Sequence, residues 1–224
     1  MVTNWSENAK NGEVTMAKSR IRLDPAVKSE MKNLRTMSNK IWKRVFLHNL
    51  PFVGRSKRFD ILYILKNPWQ MDSLGEEYRF KETNRLISEN FGRPDTILEV
   101  GCGEGHQSLY LQQVCNHLVG IDVSARAIRR AQKRCSGSDF FIGDIFSPKI
   151  STRAPFDLVV ACEVLYYMNN VPIILQQLRN IGHYNLVSYH KGQMEALDPL
   201  ILGIPGVASR IMEYEGYSWR VAWW

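Results

Sequence analysis

Residues 98–106 read LEVGCGEGH: an apolar run that breaks into glycines at 101, 103 and 105, with Glu99 before the first and Glu104 before the last. Closely spaced glycines at the end of an apolar strand let the backbone turn sharply and approach a ligand closely, because no Cβ intrudes. In an open parallel sheet, ligands sit outside the carboxyl ends of the strands, at the switch point beside the first one. The stretch therefore predicts the first strand-to-helix turn of a nucleoside-binding α/β fold.

The flanking pattern agrees. Short apolar strands at 96–100, 118–121, 140–142, 156–161 and 185–189 alternate with helical stretches at 107–114, 124–134 and 171–179. Such alternation argues for a parallel sheet with helices on both faces. The end of the chain, SRIMEYEGYSWRVAWW (209–224), is two strand-like runs either side of Glu215-Gly216, a hairpin signature. The expected fold is α/β: a Rossmann-like seven-stranded mixed sheet of five parallel β/α units plus a C-terminal antiparallel hairpin, with a helical N-terminal extension. Ahead of the first strand, SLGE (73–76) is a capping box opening a helix that runs to Asn90, before Gly92 and Pro94.

The net charge of +7 is unevenly spread: residues 1–60 hold 13 basic and 5 acidic side chains, and the remainder 16 and 17. This divides the chain into a basic extension over 1–60, partly helical or disordered, and a ligand-binding domain over 61–224. Within the extension, residues 1–20 are polar and aperiodic. Asp24 and Pro25 then open a helix carrying Val27, Met31, Leu34, Ile41 and Val45 on one face and Lys28, Lys32, Arg35, Lys40, Lys43 and Arg44 on the other. A solvated face is the ordinary reading, and peripheral contact of 25–50 with an anionic membrane the alternative. The longest apolar stretch, near 158–168, is short and carries Glu163, and the first twenty residues lack the apolar middle of a signal peptide. A cytoplasmic protein is expected. Cys102, Cys115, Cys135 and Cys162 form no C-x-x-C pair, which points to ordinary thiols rather than a zinc ribbon or disulfide framework.

The ligand narrows with the next acids. Asp122 follows Gly101 by 21 residues, at the end of the second strand, where a carboxylate accepts the ribose hydroxyls of a nucleoside. A dinucleotide fingerprint would place a third glycine where His106 stands, and Glu104 would repel a phosphate. Glu99 and Glu104 instead suit a cationic nucleoside such as S-adenosylmethionine (SAM). Asp144, in FIGDI (141–145), falls beside the expected adenine, and Glu163 ends the buried fourth strand.

The segments LEVGCGEG, VGIDVS, GDI and FDLVVACEVLYYM together resemble class I SAM-dependent methyltransferases. NPWQMDSLGEEYRFKETNRLI before the first strand and CEVLYYM after the fourth resemble the NodS-like nodulation methyltransferases, which N-methylate an amino sugar of a chitooligosaccharide. The resemblance implies that Glu99, Gly101 and Gly103 contact the methionine part of the cofactor, Asp122 the ribose, and Asp144 with Ile145 the adenine. It places Glu163 beside methyl donor and acceptor, and Tyr78 or Arg79 on a helix closing over the cofactor. An amine acceptor on a small molecule or saccharide is implied, with a hydroxyl as the alternative.

Methyl transfer needs aligned partners and removal of a proton from the acceptor. Three candidate bases stand at strand ends: His190 first, because imidazole titrates near neutral pH, then Glu163 and Tyr166. His106 faces the cofactor turn. Trp69, Tyr166, Tyr167 and Tyr189 are candidates to wall an acceptor pocket. No metal is called for, since Asn169 and Asn170 lack companion acids. The rival acceptor is nucleic acid, RNA in particular, held by the basic extension. CEVLYYM lacks the Asn/Asp-Pro-Pro-Tyr element of adenine methylation, which disfavours it. No motif sets the oligomeric state.

Overall fold

The computed structural model describes residues 55–224, with side chains from Lys57 onward. The expected helix from Asp24 and the membrane contact through 25–50 lie outside the described residues. Seven strands form one sheet: β1 (Thr96–Val100), β2 (His117–Asp122), β3 (Asp139–Ile142), β4 (Phe156–Cys162), β5 (Gly182–His190), β6 (Ala208–Tyr214) and β7 (Tyr217–Trp223), in the order β3-β2-β1-β4-β5-β7-β6. Strands β1 to β5 pair in parallel, and β7 returns antiparallel between β5 and β6. The order steps outward from β1 in both directions, so the switch point lies between β1 and β4, as the glycine turn required.

The helices are α1 (Arg55–Leu62), α2 (Leu74–Phe91), α3 (Ser108–Leu111), α4 (Ala125–Arg134), α5 (Pro148–Ser151), α6 (Val171–Ile181) and α7 (Met194–Ile201). Parallel strands are apolar on both sides because both sides are covered. Leu98, Val100, Val119 and Ile121 pack with Leu178 of α6 and Ile201 of α7, whereas Ile97, Leu118, Leu158 and Val160 pack with Leu86 and Ile87 of α2. Glu99 alternates with Leu98 and Val100, so it shares the α2 face with Ile97.

The predicted cap at Ser73 forms, its Oγ accepting from the Glu76 N–H, and Ser124 caps α4 in the same way, its Oγ accepting from the Ala127 N–H at 3.2 Å. Three features differ from expectation. The helix after the glycine turn is only one turn long, since the Gln113 and Val114 amides reach back three residues rather than four. Helices α5 and α7 lie where no helix was expected: α7 carries Pro199, and Asp198 ties it to the sheet by accepting from Tyr189 Oη at 2.8 Å and Arg220 Nη2 at 2.9 Å. Finally, α1 runs across the expected boundary at 60/61 and belongs with the ligand-binding part. Asp60 is what holds it there, its Oδ1 accepting from Ser124 Oγ at 2.9 Å and from the Arg126 N–H at 3.0 Å.

Candidate active site

The glycine turn is folded tightly at the end of β1. The Gly101 and Cys102 amides both donate to the Ile121 carbonyl, at 2.8 and 3.0 Å. Gly101, Gly103 and Gly105 all have left-handed φ, at 73°, 55° and 76°. A Cβ on Gly101 would stand 2.4 Å from Val164 Cγ2, and one on Gly103 2.8 Å from Tyr63 Oη. Backbone conformation and close neighbours therefore both demand glycine at these two positions.

Above the turn lies a cleft of about 310 Å³, whose lining includes Gly101, Asp122, Asp144 and Ile145 on one side and Tyr63 and Trp69 on the other. Trp69 Nε1 donates to Tyr63 Oη at 3.0 Å, joining the two roof rings. A smaller cavity of about 70 Å³ adjoins it through Tyr63, Trp69 and Gly101, and is lined by Arg79, Glu99, Gln107 and Glu163. The larger volume lies within the range of small-molecule pockets.

Each acid has a distinct environment. Asp122 is buried, with Oδ2 accepting from the Gly103 N–H at 3.0 Å and Oδ1 from the Ser124 N–H at 2.8 Å. Burial raises its pKa to about 6 against those two donors. Glu99 accepts from Ser108 Oγ, and burial lifts it to about 8, the Ser108 hydrogen bond and Arg79 opposing in part. The unfolded chain releases both protons near pH 4, so between about pH 4 and 8 the folded form holds more protons than the unfolded. The stability contributed by these groups falls as pH rises through that window, and the urea midpoint of the ligand-free protein is expected to be higher at about pH 5.5 than at about pH 8. A midpoint that does not fall over this range would mean that both carboxylates are already ionised in the fold.

Glu104 departs from its expected role. It is buried and paired with Arg130, it accepts from the Asn67 N–H at 2.8 Å, and His106 Nε2 lies 3.4 Å away. Burial alone would raise its pKa, but these partners outweigh it and hold the carboxyl below its ordinary value. Its charge is thus answered within the protein, anchoring the roof segment through Asn67, and of the two turn acids that line the smaller cavity Glu99 is the one not paired with an arginine there.

Tyr78 is likewise placed elsewhere: it lines neither cavity and stacks on Tyr214, ring centroids 5.0 Å apart. Neighbouring side chains on a helix diverge by about 100°, so the next residue, Arg79, takes the cleft side. Arg79 is 1% exposed, with Nε and Nη2 donating to Glu76 Oε2 at 2.9 and 2.6 Å and Nη1 donating to Gln107 Oε1 at 3.0 Å. Tyr189 is no pocket wall, being fully buried against Asp198.

The three candidate catalytic residues meet at one point. Glu163 Oε2 accepts from Tyr166 Oη at 3.0 Å and from the His190 backbone N–H at 3.2 Å, and Oε1 from Ser188 Oγ at 3.3 Å. Glu163 has a left-handed φ of 54°, a costly backbone state for a non-glycine residue, and burial raises its pKa although Arg79 opposes this. The His190 ring stands edge-on to Tyr166 at 5.2 Å, and its Nδ1 accepts from the Gly192 N–H at 3.1 Å. With Nδ1 accepting, the neutral imidazole carries its proton on Nε2.

Sequence reading missed Phe59, Tyr63, Gln107, Arg130 and Val164. The first two stand before the glycine turn in a stretch without motif spacing, and Arg130 looked like one of several basic residues on α4. Among the described residues there is no cluster of metal-ligating side chains, and no helix is long and apolar enough to cross a membrane.

A glycine turn flanked by buried acids, on a sheet of order 3-2-1-4-5-7-6, defines the class I SAM-dependent methyltransferase fold. The chain overlays magnesium protoporphyrin IX methyltransferase of Synechocystis PCC 6803 with bound SAM at a TM-score of 0.56, with 16% identity over 92% of this chain and 98% of that one. Within the class, the chain belongs to the nodulation protein S (NodS) family, whose description matches residues 60–190. It is 35% identical over 136 residues to nodulation protein S of Sinorhizobium fredii NGR234, a match covering 59% of this chain but 62% of that relative's length. N-methyltransferase NodS of Bradyrhizobium japonicum WM9, solved with S-adenosyl-L-homocysteine (SAH), superposes at a TM-score of 0.63, with 21% identity over 76% of this chain and 97% of that one.

Proposed function

We propose that this protein is a SAM-dependent methyltransferase acting on an amine, or a hydroxyl, of a saccharide or other small molecule. The observation that carries the reading is the glycine cradle, where Cβ atoms would collide with Val164 and Tyr63, set beside the buried carboxyls of Asp122 and Glu99. These residues fit the cofactor: a backbone surface for close approach, an acid for ribose hydroxyls, and a second acid for an ammonium. Asp144 and Ile145 would border the adenine. The amine is preferred because the solved NodS relative is an N-methyltransferase. An intracellular cosubstrate supports a cytosolic site of action.

When bound, SAM supplies a methyl group on a sulfonium and leaves as a neutral thioether, so the protein needs no group to stabilise a leaving anion. What the protein must do is strip the acceptor nitrogen of a proton and hold its lone pair toward the methyl. Glu163 is the base this geometry favours. A carboxylate has about four acceptor positions; three are taken by Tyr166, Ser188 and the His190 N–H, and the fourth remains for the acceptor proton. Tyr166 and the His190 backbone fix the orientation of Glu163. The His190 ring, with Nδ1 already accepting, is a donor toward the acceptor rather than its base. Trp69 and Tyr167, with centroids 5.3 Å apart, offer apolar ring surface to a sugar or other flat acceptor.

Calorimetric titration with SAH tests the reading. The wild type is expected to bind, and Asp122→Asn, which removes one acceptor atom and the charge, to weaken binding roughly 10- to 100-fold. A wild type that fails to bind SAH would show that the cradle serves another ligand.

A further inference from the structure

Residues 57–224 carry 18 basic and 18 acidic side chains, yet the charges are unevenly placed. Helix α4 holds five cations, Arg126, Arg129, Arg130, Lys133 and Arg134, and no acid. Residues 57–66, from α1 into the roof segment, add Lys57, Arg58 and Lys66 against Asp60 alone. The two segments share one surface: Asp60 pairs with Arg126, and the Leu65 carbonyl accepts from Arg130 Nη1 at 2.9 Å. With Glu104, which pairs with Arg130, eight cations here meet two acids.

Helix stability does not account for this surface. A cation in the first turn opposes the helix macrodipole, and α4 has Arg126 there with no acid beside it. Arg126–Arg130, Arg129–Lys133 and Arg130–Arg134 are like-charge pairs four residues apart, an arrangement that destabilises a helix. Asp60 and Glu104 answer Arg126 and Arg130, and the Glu104 carbonyl accepts from Arg134. Arg129, which feels Asp60 only through its field, and Lys133 are exposed and make no ion pair among the described residues. They add repulsion that an anionic partner would offset.

The kind of partner follows from what stands among the cations. Ile64, next to the Leu65 anchor, and Ile142, at the end of β3, are each 52% exposed, and Phe146, which lines the cleft, is 49% exposed. Ile142 lies on the same side of the sheet as Phe140, which packs with Ile128 and Ala131 of α4. Exposed aliphatic side chains gain nothing from a nucleic-acid strand, which is held by charge and by flat rings. An anionic bilayer takes both, its headgroups answering the cations while apolar side chains enter the acyl boundary.

We propose that the face formed by α1, the roof segment and α4 docks on an anionic membrane surface, with Ile64 and Ile142 entering the headgroup layer. Tyr63 and Phe146 both line the cleft, so docking brings one of its rims to the lipid. This face belongs to the folded domain, distinct from segment 25–50, and its charge does not depend on which molecule the cleft holds.

Co-sedimentation of the full chain with vesicles tests it, using phosphatidylcholine alone or with about 30% phosphatidylglycerol, at about 0.1 M salt. The wild type is expected to bind the anionic vesicles and not the neutral ones. Arg129→Gln with Lys133→Gln keeps good helix formers in α4 and removes a repulsive pair, so the urea midpoint should stay or rise. That double variant is expected to bind the anionic vesicles roughly 10- to 30-fold more weakly. Ile64→Ser with Ile142→Thr should weaken binding about 3- to 10-fold, with the preference for anionic lipid kept. A wild type that binds no vesicle, or binds both kinds equally, overturns the proposal. So does binding that either pair of substitutions leaves unchanged, which would put any membrane contact in the chain before α1. A wild type that ignores vesicles but binds an RNA oligomer, with loss in the Arg129–Lys133 variant, would give the surface to nucleic acid instead.

Discussion

Glu163→Gln is expected to bind SAH much as the wild type does and to lose methyl transfer by about 10²- to 10⁴-fold, the usual range for removing a general base. The retained binding follows from the hydrogen bonds. The amide can place its oxygen where Tyr166 and the His190 N–H donate, and turn its NH₂ toward Ser188 Oγ, which accepts as readily as it donates. Shape and packing are conserved while the proton acceptor is lost. Single-turnover methylation of an amino-sugar oligomer, alongside SAH calorimetry, separates the two effects. Transfer within tenfold of wild type would remove Glu163 from the role of base and return His190 to first place.

Gly101→Ala is expected to be the most damaging single methyl group in the protein. It forces a Cβ into the left-handed region, at about 1–2 kcal/mol, and drives it to 2.4 Å from Val164 Cγ2. Overpacking of that kind adds about 1–3 kcal/mol, and the displaced Val164 adjoins Glu163, so cofactor binding and the base fail together. Two companions isolate the parts. Gly206→Ala has a similar φ of 77° with nothing within 4 Å of the added atom, and should lose only the backbone share. Val164→Ala in the Gly101→Ala background should recover part of the loss, because neighbouring substitutions are not additive. Urea midpoints of the four proteins give the comparison; equal costs at Gly101 and Gly206 would mean that Val164 yields freely.

Most of the sheet was legible in the sequence because its physics is local. Strands buried on both faces read as apolar runs, the caps at Ser73 and Ser124 stand at fixed offsets from their helices, and Glu215-Gly216 can hardly be anything but a hairpin turn. Asp122, Asp144 and Glu163 were legible for a related reason: each is an acid at the carboxyl end of a strand. What escaped was non-local. Nothing near Glu104 shows that Arg130 and the Asn67 amide will meet it, 26 and 37 residues away. The exchange of Tyr78 for Arg79 turns on one step around a helix, finer than the motif could fix. One local contact escaped as well: the Gly192 N–H that engages His190 Nδ1 is only two residues on, but its direction depends on the turn after β5 rather than on any motif.

The roof over the cleft has a different origin from the floor. Phe59, Tyr63 and Trp69 come from chain that precedes the sheet, pinned through Asp60 and Glu104 to α4, and no side chain of that segment belongs to either of the two large apolar clusters. Foundation and lodging are therefore separable in heredity. The sheet must keep its glycines and acids to hold one cosubstrate, while the chain ahead of it answers to the cleft alone and not to the packing of the sheet. Descendants of such a protein can reshape the roof of the cleft without repacking either large apolar cluster.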